Sequence, residues 1–328
     1  MKKIIVLFLF IFFITGCGKY GEKDVIKDLE NKIEKGDSYK LSGNLEISNN
    51  DDVYNYVVNV SYKKDDYYKV VMRNEVNNYT QIILKNDDAV YIVTPSLNKS
   101  FKFQSEWPYD NSQIYLLDSL LKDIKNDKDR KFKISDDGYL FVTKVKYPNN
   151  SKLIKQKIRL DKKLKVKEVS VYDENNVVRM KMKFNSIKYA VNFDEKYFKL
   201  KSVSDNIDVM KEDDEQFTDV IYPLFLPNGT KLVDEEKIVK DNGQRVIMTF
   251  DGEKPFLLVE ESINVEDEFT VVPTYGEPYR LMDSLGVMTD NSLSWVSNGI
   301  EYYIVSDVLS QDEMIEIAQS IYSLPTMK

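Results

Sequence analysis

The chain has 328 residues, 42% of them hydrophobic and 30% charged, with a net charge of −8, one cysteine and no histidine. That composition belongs to a folded chain long enough for two domains, and excludes general disorder. Without histidine there is no imidazole-dependent triad, general base or histidine metal site. The lone cysteine excludes an intramolecular disulfide, and the acidic balance argues against nucleic acid as a partner.

Residues 1–16 read as an export signal. Lys2 and Lys3 precede an unbroken apolar run from Ile4 to Ile14, too short for an ordinary membrane-spanning helix. The run ends in Ile14-Thr15-Gly16-Cys17, which resembles the bacterial lipobox. That resemblance implies cleavage before Cys17, acylation of its thiol, and an extracytoplasmic protein anchored to the cell membrane by the lipidated cysteine. Residues 17–23 are then a short tether.

From Asp24 the pattern is helical, with Val25, Ile26, Leu29 and Ile33 at helical spacing and Gly36 as a stop. Strands are expected at 39–47, 54–62, 67–73, 79–85, 88–94 and 100–104. Asn, Asp, Ser or Pro bounds them, which implies an antiparallel meander. After Trp107-Pro108, residues 111–125 read as a helix with Ile114, Leu117, Leu120, Leu121 and Ile124 on one face. Strands resume at 131–134, 139–147, 153–160, 164–172 and 177–184. Residues 203–220 read as a polar linker. In 221–328, strands are expected at 244–250, 256–262, 269–272, 293–297 and 300–305. A helix follows the capping box from Ser310 to Glu313. The expected fold is mostly β, of α+β type: an antiparallel sheet with covering helices over 24–202, and a smaller α+β domain over 221–328.

Charge is unevenly spread. Residues 144–167 hold ten Lys or Arg and one Asp, while 205–283 hold twenty acids and seven bases. The first stretch reads as the solvated outer face of a sheet, or as a footprint for anionic lipid or wall polymer. The acidic half is expected to face that basic sheet.

No catalytic set emerges. The acid pairs Asp87-Asp88 and Asp136-Asp137 fit turns, and Glu260-Glu261 lies on a strand that sends the two side chains to opposite faces. No cofactor or metal is implied. The apolar candidates are Tyr91, Phe101, Phe103, Trp107, Met180 and Met182, read as a concave binding face or as ordinary core, with Trp107 assigned to the core.

The lipobox, the helix followed by an interrupted antiparallel meander, and the smaller second domain together resemble the LolA/LolB/RseB superfamily. The stretch from Val90 to Pro108, VYIVTPSLNKSFKFQSEWP, is similar to sporulation and germination lipoproteins of the GerS and YdcC type in Gram-positive bacteria. The resemblance implies a LolA-like half-barrel with covering helices. It also implies a membrane-anchored, non-enzymatic accessory factor in spore formation or germination, with a protein partner. In the GerS-type branch that partner is a cortex-modifying cell-wall amidase. The alternatives are a lipid or lipoprotein carrier holding an acyl ligand, and an RseB-like envelope sensor.

Overall fold

The protein is described from a computed structural model, over residues 20–49, 52–108, 111–147, 150–205, 220–240, 243–263, 268–281, 284–297 and 299–321. The expected signal, Cys17 and most of the expected linker lie outside the described residues.

In chain order the first part holds α1 (Glu22–Glu34), β1 (Ser38–Asn49), β2 (Asp52–Lys63), β3 (Tyr67–Asn74), β4 (Thr80–Lys85), β5 (Val90–Thr94) and β6 (Lys99–Phe103). There follow α2 (Leu117–Asn126), β7 (Lys131–Ser135), β8 (Gly138–Lys144), β9 (Leu153–Asp161), β10 (Val166–Asp173), β11 (Val178–Tyr189) and α3 (Leu200–Ser204). The second part holds β12 (Thr230–Lys240), β13 (Gly243–Gly252), β14 (Phe256–Ser262), β15 (Thr270–Thr274) and β16 (Glu277–Arg280). It closes with β17 (Leu285–Met288), β18 (Ser292–Ser297), β19 (Ile300–Val305) and α4 (Gln311–Gln319).

Twelve strands form one sheet, in the order β15-β6-β5-β4-β3-β2-β1-β11-β10-β9-β8-β7. Seven form the other, in the order β12-β13-β14-β19-β18-β17-β16. The fold is mostly β, as expected. Turn chemistry sets the register. Lys63 pairs with Tyr67, leaving Lys64, Asp65 and Asp66 as the turn between β2 and β3, and both aspartates take the positive φ (68° and 66°) that Asp tolerates better than most residues. In β1 the pairing with β11 shifts between Ser42 and Gly43. A Cβ at Gly43 would lie 2.3 Å from the Lys183 carbonyl oxygen, so only glycine fits this bulge.

Period-2 alternation gives the large sheet one apolar face. Tyr56, Val58 and Val60 of β2, Leu41 and Leu45 of β1, and Met182 of β11 are buried on it. Helices α1 and α2 cover this face with Val25, Leu29 and Ile33, and with Leu117, Leu120, Leu121 and Ile124. One buried polar contact fixes α2: the hydroxyls of Tyr39 and Tyr68 each donate to Asp118, at 2.7 Å. Burial pushes the Asp118 carboxyl above its ordinary range, and the two phenols oppose that shift. On the opposite face, Ile82, Leu84, Tyr91 and Val93 pack under Phe198 and Val203.

The expected helix over 111–125 begins only at Leu117. Upstream, the Ser112 amide donates to the Lys146 carbonyl (2.8 Å), and the Lys146 amide donates to Ser112 Oγ (2.8 Å). The backbone there is held by a neighbouring strand end, which a helix would forbid.

In the second sheet α4 covers one face, with Met314, Ile317 and Ala318 against Val246, Met248, Leu258 and Trp295. Its capping box is formed: Ser310 Oγ accepts the Glu313 amide (3.3 Å) and Glu313 accepts the Ser310 amide (3.0 Å). Three strands in this half, β12, β16 and β17, carry no strand signature in the sequence. β12 is an almost wholly exposed edge, and the other two are four residues each.

The two sheets are joined by backbone. β15 leaves the second part and pairs in parallel with β6, Thr270 beside Lys99 through Thr274 beside Phe103. The boundary between the sheets therefore differs from the boundary in the sequence. Gln81 adds a side-chain clasp, donating to the Leu285 carbonyl (3.2 Å) and accepting the Leu285 amide (2.5 Å). At the other side of the first sheet Lys152 pairs with Glu316 of α4. Of the basic stretch, Lys152 thus meets an acid of the second part, while Lys155, Lys157 and Arg159 of β9 alternate with buried residues and point to the face away from the helices.

Two outcomes follow from this packing. A chain cut at a protease site engineered into 206–219 is expected to stay one particle in size-exclusion chromatography, because β15 remains paired; two separated fragments would contradict it. The second concerns Glu260, which is fully buried. Its Oε2 accepts the Ile221 amide (3.1 Å), and its Oε1 has no partner among the described residues. Burial pushes its pKa up from 4.5 to about 7. The folded chain therefore holds a proton that the unfolded chain releases, so stability falls as pH rises from about 4.5 to about 7. Glu260→Gln should flatten that slope and gain on the order of 2–3 kcal/mol at pH 8. Matching pH profiles in chemical denaturation would rule this out.

Candidate functional site

The large sheet meets the second part at two places: at its edge, where β15 pairs with β6, and at the turn before β9, where Lys152 and Ser151 reach Glu316 and Asp312 of α4 (Ser151 Oγ to Asp312, 3.3 Å). Between these contacts lies a cavity of about 630 Å³. That is the volume of a small-molecule or side-chain pocket.

The first sheet contributes an apolar floor. Ile47 is the last inward residue of β1 and Met180 stands opposite it on β11, with Leu153 and Ile114 beside them. The second part contributes Leu224, Phe225, Tyr279, Arg280 and Leu281. The irregular segment before α2 supplies Tyr115, held in place because its neighbours are bonded to Lys146 and Ser119 rather than coiled into helix.

Arg280 is the charge of the site. Its guanidinium carbon lies 5.7 Å from the Tyr56 ring centroid and 6.0 Å from that of Tyr115. Such contacts hold a cation in partly dry surroundings. A terminal nitrogen touches Met72 Sδ. Nε is buried with no hydrogen-bond partner among the described residues, which include no carboxylate paired with Arg280. Nearby, the buried Tyr147 hydroxyl also has no partner among the described residues. Burial pushes the Tyr115 and Tyr147 phenols up, and at Tyr115 the Arg280 guanidinium, hydrogen-bonded to the hydroxyl, opposes that shift. A buried donor without an acceptor costs free energy that a bound acceptor would recover.

A second arginine borders the cavity in the opposite condition. Arg179 Nε donates to Asp173 at 2.7 Å. Burial would raise Asp173, but the amides of Val177 and Asn175 and the Arg179 guanidinium outweigh it and hold the carboxyl below its usual range. Arg179 is thus satisfied, and Arg280 is the cation left to recognise an acceptor. Among the described residues no cluster of acids or cysteine could hold a metal ion, and no helix is long and apolar enough to cross a membrane.

Of the six apolar residues singled out by sequence, only Met180 lines this cavity. Met182 and Phe103 are fully buried beneath the helices, and Trp107 is 5% exposed, edge-on to Tyr68 at 5.7 Å. Phe101 is half-buried, with the Lys99 ammonium 5.2 Å from its ring. Tyr91 belongs to the other side. It stands opposite Lys102 while Ile92 stands opposite Phe101, so parity places it on the outer face, where its hydroxyl bonds Asp88. The six do not share one open face. The sequence reading missed Arg280, Tyr115 and Tyr147. One signal for Arg280 was available: it is one of only seven bases in the acidic stretch 205–283.

No protein-family model matches the chain. Over 317 residues it is 35% identical to "Sporulation protein YdcC" of Bacillus subtilis (strain 168), spanning 95% of this chain and 94% of that protein. Among solved structures, the Pseudomonas aeruginosa MucA/MucB complex aligns with 90% of this chain and 98% of that one, at TM-score 0.31 and 12% identity. The Clostridioides difficile CwlD amidase in complex with the GerS lipoprotein aligns with 52% and 96%, at TM-score 0.25 and 19% identity. The LolA superfamily protein NE2245 of Nitrosomonas europaea aligns with 55% and 98%, at TM-score 0.31 and 12% identity.

The burial of Trp107 makes one expectation definite. Trp107→Ala should cost about 3–5 kcal/mol of stability in denaturant titration, because its ring fills the space beside Tyr68. An unchanged midpoint would place the ring outside the core.

Proposed function

The chain belongs to the family of the Bacillus subtilis sporulation protein YdcC, and from that premise we propose that it is a lipid-anchored accessory protein of spore formation that acts by binding a partner. Cys17, acylated after export, would hold it on the outer side of the cell membrane. The cavity between the two sheets would take a segment of the partner protein, an apolar side chain resting on Ile47 and Met180 and an anionic group meeting Arg280. The observation that carries this reading is the Arg280 guanidinium, seated between Tyr56 and Tyr115 with Nε unpartnered. The sequence resemblance to GerS-type lipoproteins makes a cortex-modifying amidase the first partner to test. We read the protein as a binder and not an enzyme.

A second reading uses the same cavity for an amphiphile with an anionic head. Its size and its apolar floor favour that ligand as well.

Affinity capture from sporulating cells, followed by mass spectrometry of both proteins and lipids, separates the two. Arg280→Gln, which removes the charge without burying a carboxylate, should weaken capture by about 2 kcal/mol or more, with the melting temperature recorded alongside to separate lost binding from lost folding. Equal capture by the variant, or hydrolysis of peptidoglycan by the purified chain alone, would defeat the binding reading. Enrichment of a lipid without a protein would favour the second.

A further inference from the structure

The outer face of β9 to β11 is basic, on a chain whose net charge has the opposite sign. Register places its bases side by side: Lys157 stands in the same row as Lys181, and Arg159 in the same row as Lys183, across β10. Between Arg159 and Lys183 lies Glu168, which is shared by Arg159 (3.9 Å) and Lys181 (3.5 Å). The next row holds Tyr172, whose ring carries the Lys155 ammonium at 5.7 Å and that of Lys157 at 4.7 Å. Five bases on three adjacent strands thus share this face with Glu168 and, by parity, with Asp161 at the end of β9, while Glu46 of β1 stands opposite Lys181. The side chains of the bases are half or fully exposed.

The start of the described chain lies against the same half of the sheet. The Tyr20 ring is 6.1 Å from that of Tyr139 on β8, the strand next to β9, and its hydroxyl donates to Asp28 (2.7 Å). Lys162, in the turn after β9, stands 5.9 Å over the same Tyr139 ring. Cys17 precedes Tyr20 by three residues, a span of at most about 11 Å. Tyr139 shares the inward parity of Phe141, so Tyr20 packs on the helix-covered face, at the β7 to β8 edge and beside α1, where Glu22, Asp24, Asp28, Glu30 and Glu34 offset its lysines.

We propose that the outer face of β9 to β11 binds the surface of an anionic phospholipid bilayer. This affinity does not depend on the acylation of Cys17 proposed above. Fixed lysines within a Debye length of the surface feel its potential, each contributing roughly a fivefold gain in partition.

The test uses the chain from Gly18 onward, which holds every described element and no lipid. It should co-sediment with vesicles of equal phosphatidylglycerol and phosphatidylcholine, far less with phosphatidylcholine alone, and less as salt rises. The triple variant Lys155→Glu, Lys157→Glu, Lys181→Glu should bind about 100-fold more weakly at an unchanged melting temperature. The same charge change at Lys196, Lys199 and Lys201, on the outer face of the other half, should alter binding little. Equal binding to both vesicle types, no binding, or equal losses in the two triple variants would overturn the docking. Fractionation of cells expressing Cys17→Ser tests the anchor of the proposed function separately and leaves the vesicle result standing.

Discussion

Everything in this architecture depends on five residues changing sheets. Thr270 to Thr274 are encoded among the strands of the smaller sheet, yet their backbone pairs with β6 of the larger one. A parallel ladder fixes direction as well as position, so the second part has one orientation relative to the first. Gln81 repeats the logic with a side chain, presenting its amide to Leu285 as another strand would. The cavity follows as a geometric result. Two curved surfaces held together at one edge, and again at Lys152 and Glu316, leave a space where they diverge.

Polar groups are placed with the same economy. Asp118 sits deep under the helices, and two tyrosine hydroxyls satisfy it. Asp173 is buried at the cavity rim and takes two backbone amides and a guanidinium. Arg280, in the same region, meets two rings, a thioether and the Tyr115 hydroxyl, and its Nε has no partner among the described residues. The contrast between the satisfied arginine and the unsatisfied one singles out Arg280, since native structures complete such bonds wherever a protein or solvent partner can reach.

Much of the fold could be read from the sequence because alternation is strong where one face is buried. Tyr54, Tyr56, Val58, Val60 and Tyr62 announce β2 and its inward face without help. β12 could not be read, because an edge strand reading Thr-Lys-Leu-Val-Asp-Glu-Glu buries almost nothing and needs no pattern. The site was less legible for a different reason. Its walls come from β1, β11, the segment before α2, β16 and α4, so no local window contains it. Parity explains the remaining error. Tyr91 and Phe101 look alike as aromatics near one turn, but the hairpin register sends them to opposite faces. The parallel return of β15 has no local signature at all, since nothing in five residues names a partner far earlier in the chain.

That return also dictates an order of events during synthesis. β6 is made early and β15 late, so the growing chain carries β6 as a bare edge until Thr274 has become available. Pairings between segments so distant in sequence are slow to form, and an unpaired edge invites pairing with other chains meanwhile. A product truncated anywhere before Thr270 would carry that edge permanently. Such fragments should be prone to self-association, and the family would then be intolerant of premature stops even where the large sheet is otherwise complete.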